Sequence, residues 1–306
     1  METTSKRLDR IKLNRSGPRH PIFRNIWGYI FISPFFILYA IFGLYPLLLS
    51  LYLSIAEWKG VGPIKLVGLN NFARLLEDKV FWQSMFNGIT LFFLYVPVML
   101  FLALVLAVIL NSKRIKGFQF FRTLIFLPFI TNMAAAGFAF RILLTKNNGL
   151  INIVLGLLHI PPVPWLEEMW MARVSLALLI IWAWLGYNMV IMLAGLQTIP
   201  QDLTEAALVD GASNTQAFFN ITIPLMRPVI LFCAVTSTIG SFGLFAEVAS
   251  LTGGGPANAT ITPMIRIFNV AFRSLQLGYA SAMAYTFFAI IFILTLLQMR
   301  FMGREQ

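Results

Sequence analysis

The sequence predicts an all-α polytopic membrane protein with six transmembrane helices and both termini in the cytoplasm. Three observations carry that prediction. Hydrophobic residues make up 58% of the chain and charged residues only 11%. The mean hydropathy is +0.79, far from the composition of a soluble domain of this length. Several apolar runs reach the roughly 20 residues that cross a hydrocarbon core of about 30 Å. The runs are continuous rather than alternating, which disfavours a β-barrel.

Seven basic residues (Lys6, Arg7, Arg10, Lys12, Arg15, Arg19 and Arg24) precede the first apolar run. The formal charge of +11 therefore reflects topology more than nucleic-acid binding, because a cytoplasmic amino terminus collects Lys and Arg. Such a tail, residues 1–25, also meets anionic headgroups at the bilayer surface. The run that follows is too long for the h-region of a cleavable signal, about 7–15 residues. Cys233 is the single cysteine, so no intramolecular disulfide forms.

Hydropathy places the spans at 26–55, 85–110, 122–144, 172–196, 227–250 and 277–300, within a membrane domain of residues 26–300. Pro34 and Pro46 in the first span, Pro97 in the second and Pro128 in the third are expected to kink their helices. Gly43, Gly137, Gly186 and Gly240 read as sites of close helix packing. An even span number with the tail inside puts 301–306 in the cytoplasm too. Lys113, Arg114, Lys116, Arg122, Arg300 and Arg304 agree, whereas Lys59, Lys65, Arg74 and Lys79 lie outside, so the bias rests mainly on the tail. Outside the membrane, 67–76 and 149–156 have apolar residues at helical spacing and read as short interfacial helices, the second stopped by the prolines of 160–164. Gly253, Gly254, Gly255 and Pro256 form a turn where the fifth span emerges.

Catalytic chemistry is not written in the sequence. The glycine-rich turn lacks the trailing Gly-Lys-Ser/Thr of a phosphate loop. His20 and His159 lie apart from any carboxylate cluster, so neither a zinc site nor a Ser/His/Asp set is expected, and the chain is read as non-enzymatic and metal-free. Buried acids, which an ion-coupled carrier would need, are almost missing. Glu247 is the exception, either a functional charge at depth or a carboxylate reaching interfacial water. The fourth span offers Trp182, Trp184, Tyr187 and Asn188, and the fifth Thr236, Ser237, Thr238 and Ser241. Ser237 and Ser241, four apart, share a helix face. Such groups suit a neutral hydroxylated solute or, equally, hydrogen bonds between helices.

Between the fourth and fifth spans, in the loop 197–226, lies a polar interlude: Glu205, Ala206, Ala207, Leu208, Val209, Asp210, Gly211 and Ala212. After the eight residues Ser213 to Asn220 come Ile221, Thr222, Ile223 and Pro224. Glu-Ala-Ala favours helix, Gly211 supplies a turn and Pro224 is expected to reopen the next helix. An exposed helix pair of this kind is shaped to enter a partner's groove.

These residues resemble the EAA motif of permease subunits in binding-protein-dependent ABC importers, with Ile223 where the family has leucine. The resemblance runs from about residue 26 to 300. Val67-Gly-Leu-Asn-Asn-Phe72, Phe121-Arg-Thr-Leu-Ile-Phe-Leu-Pro128, Trp184-Leu-Gly-Tyr187, Ala194-Gly-Leu-Gln-Thr-Ile-Pro200, Leu251-Thr-Gly-Gly-Gly-Pro256 and Gly278-Tyr-Ala-Ser-Ala282 are similar to the carbohydrate-uptake branch, in its first, maltose and glycerol-phosphate type of permease. The resemblance implies the type I importer transmembrane fold in a bacterial or archaeal inner membrane. It also implies a second homologous permease, two ATPase subunits that bind ATP and magnesium, and an extracellular or periplasmic binding protein. The motif residues Glu205 to Ala207, Asp210 to Ala212, Ile223 and Pro224 would couple to an ATPase. Gly186, Tyr187, Asn188, Met189, Ser237, Gly240, Ser241 and Glu247 become candidates for the solute path. A sugar or oligosaccharide is the expected solute, with glycerol-3-phosphate or a polyol as the alternative and ion-coupled transport as a remote third reading.

Overall fold

The computed structural model describes residues 26–112 and 117–302. The basic tail, Lys113, Arg114, Lys116 and Arg304 lie outside the described residues. The chain divides into two units, Met1–Tyr52 and Leu53–Gln306. In the first, α1 (Ile26–Tyr39) passes through a π turn (Ala40–Leu44) into α2 (Tyr45–Ser54). Pro34 lies inside α1 without ending it. Gly43 lets the helix close on the Tyr39 ring, which a β-carbon would meet at 3.1 Å.

The second unit begins with a two-residue hairpin, β1 (Ala56–Glu57) against β2 (Lys65–Leu66), antiparallel with Ala56 opposite Leu66. Asn71, buried in α3 (Asn70–Glu77), ties this hairpin down by donating to the carbonyls of Ser54 at 3.0 Å and Ala56 at 2.9 Å. Two long helices, α4 (Lys79–Asn111) and α8 (Met169–Gln197), then form the spine. Leu91, Tyr95 and Met99 pack with Leu176, Leu179 and Ile180 towards the outer end. Ala103 and Ala107 pack with Met189, Met192 and Leu193 towards the inner end. The second span starts earlier than its hydropathy suggests, because Asp78 caps it: its Oδ1 accepts from the Phe81 amide at 2.9 Å.

Two predicted spans are not single helices. The third comprises α5 (Phe118–Phe126) with a 3-10 turn (Leu127–Ile130), followed by α6 (Met133–Leu143). The halves meet at 95°. Pro128 accounts for the turn, and Asn132 restarts the helix, its Oδ1 accepting from the amides of Ala134 (3.0 Å) and Ala135 (3.1 Å).

The fifth span runs inwards of its expected limits, from α10 (Asn214–Ala217) through a π turn (Phe218–Thr222) into α11 (Ile223–Gly243). It stops before α12 (Ala246–Leu251). The Leu244 carbonyl, freed by the break, accepts the hydroxyl of Thr262. The glycine turn therefore follows α12, not the span, and the expected continuous helix over 227–250 is broken near its outer end, at Leu244.

The outer halves α6 and α12 pack on each other, with Gly137 against Ser250, where a β-carbon would clash with the serine side chain. Broken backbone at membrane depth is tolerated where protein or a cavity surrounds it. The sheltered stretch here faces the site described below.

The remaining elements are α7 (Leu150–Leu157), α9 (Gln201–Val209), α13 (Pro263–Phe268) and the last span, α14 (Leu277–Met302). At the outer end Asp78 Oδ2 receives Arg266 Nη2 at 2.8 Å and the Tyr279 hydroxyl at 2.9 Å. Arg74 lies 4.0 Å over the Tyr279 ring. Burial pushes the Asp78 carboxyl up, but the bonds from Arg266, Phe81 and Tyr279, with the Arg266 charge, outweigh it and hold it below the ordinary 3.8. One carboxylate thus links α4, α13 and α14, and Arg74 brings α3 to the same cluster through the Tyr279 ring.

Candidate functional site

A cavity of about 280 Å³ opens at mid-depth between the spine and the broken fifth span. From α4 it takes Tyr95 and Met99, and from α8 Ile180, Trp184, Tyr187 and Asn188. Thr236, Ser237, Ile239, Gly240 and Gly243 of α11, Leu244 at the break and Glu247 at the start of α12 complete it. The third-span break shapes this wall. Phe129, in the 3-10 turn, stacks on Tyr187 at 4.8 Å and meets the Trp184 ring edge-on at 5.2 Å. That contact holds both aromatic side chains in place.

Polar groups are few. Asn188 Nδ2 donates to the Trp184 carbonyl at 3.0 Å, while its buried Oδ1 has no partner among the described residues. Glu247 is only 7% exposed, yet it lines the cavity. Charge at such depth is costly and is kept where it serves a pathway. No Lys, Arg or His is among the lining residues. The surface presents hydrogen-bond acceptors and aromatic faces, suited to a hydroxyl-bearing molecule.

Five of the sequence candidates meet here: Tyr187, Asn188, Ser237, Gly240 and Glu247. Three do not. Gly186 is pressed against the backbone of Ile125 and Phe126, so its role is close helix approach. Met189, fully buried, belongs to the inner core. Ser241 turns to the spine and bonds the Tyr95 hydroxyl at 2.8 Å. Tyr95 itself escaped the sequence reading, although a lone tyrosine among Leu, Val and Phe in mid-span carries a polar tip that needs a partner.

At the inner end, α9 and α10 form the exposed helix pair. The α9 terminus is closed by a Schellman arrangement. The Ala212 amide donates to the Ala207 carbonyl at 2.9 Å and the Gly211 amide to that of Leu208 at 3.1 Å. Gly211 adopts φ +90°, which side chains resist. Ser213 then opens α10 with a reciprocal capping box to Gln216. This start signal, Ser-x-x-Gln, displaces the one expected at Pro224.

Pro224 sits within a continuous helical run from Asn214 to Gly243. It lies two residues past Thr222, the last residue of the π turn, whose wider ring accommodates the missing amide. Glu205, Ala206, Asp210 and Gly211 are exposed, Ala207 and Ala212 half-buried, and Ile223 and Pro224 half-buried at the base. Val209 is 87% exposed at the tip. Glu205 also borders an open cleft of about 840 Å³ with Thr204, Gln197 and Asn111.

A multi-pass membrane transport component, with a mid-depth cavity and an exposed inner helix pair, is the class that this architecture defines. Residues 72–304 match the family described as "Binding-protein-dependent transport system inner membrane component". The lactose transport system permease protein LacF of Rhizobium radiobacter is 38% identical, over 89% of this chain and 92% of that protein. The trehalose/maltose transport system permease protein MalF of Thermococcus litoralis is 31% identical, over 89% and 92% respectively. The fold is shared with a chain of the bacterial alginate ABC transporter, solved in complex with an alginate pentasaccharide-bound periplasmic protein. The TM-score there is 0.79 at 21% identity, covering 92% of this chain and 95% of that one.

This chain belongs to the binding-protein-dependent transport permeases. It is an inner-membrane, non-catalytic permease subunit of an ABC importer, and neither an ion-coupled carrier nor a membrane enzyme.

Proposed function

We propose that this permease carries a neutral sugar or oligosaccharide, handed over by an extracellular or periplasmic binding protein. It does so together with a second, homologous permease and two ATPase subunits. The observation that carries the substrate class is the cavity wall, with aromatic faces, hydroxyl and amide groups, one carboxylate and no cation. A sugar stacks its apolar face on Trp184 or Tyr187 and offers hydroxyls to Glu247, Asn188 and Ser237. A phosphorylated solute would want a lysine or arginine. The relatives named for lactose and for trehalose/maltose support the same class.

ATP and magnesium bind the partner ATPases. The α9–α10 pair enters a groove on one of them, Ala206 and Ala207 permitting close approach and Glu205 meeting a basic side chain. When the ATPases close, the rigid turn at Gly211 passes the movement to α11, continuous with α10, and so to Ser237 and Gly240 at the cavity. Purification of the tagged chain in mild detergent tests the assembly. A second permease and an ATPase should accompany it, and Ala207→Cys should crosslink to the ATPase. Recovery of the chain alone, with no crosslink, overturns the proposal.

A further inference from the structure

The loop 144–168, between the third and fourth spans, carries the helix α7, which contains no charged residue. Leu150, Ile153, Val154 and Leu157 follow the spacing i, i+3, i+4, i+7 and so share one face. They are 58%, 51%, 56% and 76% exposed. Single exposed apolar residues need no explanation, but a contiguous stripe marks a contact surface.

The opposite face is fixed by Asn152. Its Nδ2 donates to the carbonyls of Lys146 and Val163, both at 2.9 Å. Its Oδ1 accepts from the Val163 amide at 3.1 Å and the Trp165 indole at 3.0 Å. With both donors and both acceptor sites of the amide used, the helix cannot roll to bury its stripe without breaking four bonds.

We propose that α7 lies in the outer headgroup layer of the bilayer, with the Leu150, Ile153, Val154 and Leu157 face seated at the acyl-chain boundary. Two observations favour lipid as the occupant. Both ends of the loop are held at the membrane surface, by α6 ending at Leu143 and α8 starting at Met169. The exposed apolar surface continues onto those spans, through Ile142 in the last turn of α6 and Met169 and Trp170 in the first turn of α8. A tryptophan at a span's outer end belongs to the interfacial belt. Held this way, α7 props the outer half of the broken third span, α6, which it touches.

The test uses the complete importer in lipid nanodiscs, with an environment-sensitive fluorophore on Leu157→Cys. Native Cys233 is buried, and unlabelled protein measures any background from it. Val61→Cys, at a position 89% exposed in the outer hairpin, gives the aqueous reference. Blue-shifted emission is expected, with quenching by lipids brominated near the headgroup and several-fold weaker iodide quenching than at Val61→Cys. Iodide quenching equal to the reference overturns the proposal. So does protection from iodide without quenching by brominated lipid, which means that a protein covers the face. Ile153→Cys provides a second reporter should Leu157→Cys fail to assemble.

Discussion

The Tyr95 hydroxyl and Ser241 Oγ lie 2.8 Å apart, a hydrogen bond that joins the second span to the fifth behind the cavity. Ser241 Oγ is also 2.9 Å from the Ser237 carbonyl, one turn away. Two serines on adjacent turns of one helix therefore have different tasks: Ser241 holds helices together, and Ser237 lines the cavity. Tyr95→Phe and Ser241→Ala should each cost about 1 kcal/mol of stability, the net worth of a buried hydrogen bond. Ser237→Ala should leave stability unchanged and alter uptake. Thermal unfolding in detergent beside transport in proteoliposomes separates the two outcomes.

Glu247 tests whether the cavity recognises solute. Glu247→Gln keeps the shape but removes the charge, so a charged hydrogen bond worth about 1.5–3 kcal/mol is weakened. Uptake should fall by about tenfold or more while the assembled complex is recovered in normal amount. Unchanged uptake would mean that the carboxylate serves only to reach interfacial water.

Coupling depends on the inner helix pair. Gly211→Val forces a β-branched residue into φ +90°, at about 1–3 kcal/mol of local strain. Glu205→Lys inverts the charge offered to the ATPase. Both variants should insert in the membrane normally and lose uptake. Normal transport in both would remove the coupling role of the pair.

Asp78 predicts a pH dependence at the outer end. Its folded carboxyl titrates below the ordinary 3.8. Its contribution to stability is therefore present above about pH 3.8 and disappears as pH falls through the lower folded value. Asp78→Asn should lower the unfolding temperature at neutral pH, at a cost of about 1–3 kcal/mol. It should also flatten the acid limb of the stability profile. An acid limb identical to that of the unaltered protein would contradict the link to Arg266 and Tyr279.

Much of this architecture was legible from hydropathy, since crossing a bilayer requires long apolar runs whatever the fold. The breaks were not, because apolar residues continue across them. Pro128 signalled a kink, but the 95° bend needed Asn132 to cap a new helix. At Leu244 the stop depends on Thr262, eighteen residues on, which local pattern does not reveal. The site was half legible for the same reason. Tyr187, Asn188, Ser237, Gly240 and Glu247 were found as polar or small residues in apolar helices. Such residues serve packing and ligand contact alike, and of the solute-path candidates Gly186, Met189 and Ser241 lie in helix contacts rather than in the cavity lining. Gly211 was readable because a helix stop followed by a helix start leaves it one conformation.

The central claim is that this permease couples solute delivery to ATP hydrolysis elsewhere in the complex. It is tested most directly by reconstituting the purified assembly in liposomes and measuring ATPase activity with each candidate sugar and the binding protein. Hydrolysis should rise severalfold with one sugar-loaded binding protein, and this stimulation should vanish in Gly211→Val although the complex assembles. Hydrolysis indifferent to every loaded binding protein, or stimulation that survives Gly211→Val and Glu205→Lys alike, would contradict it.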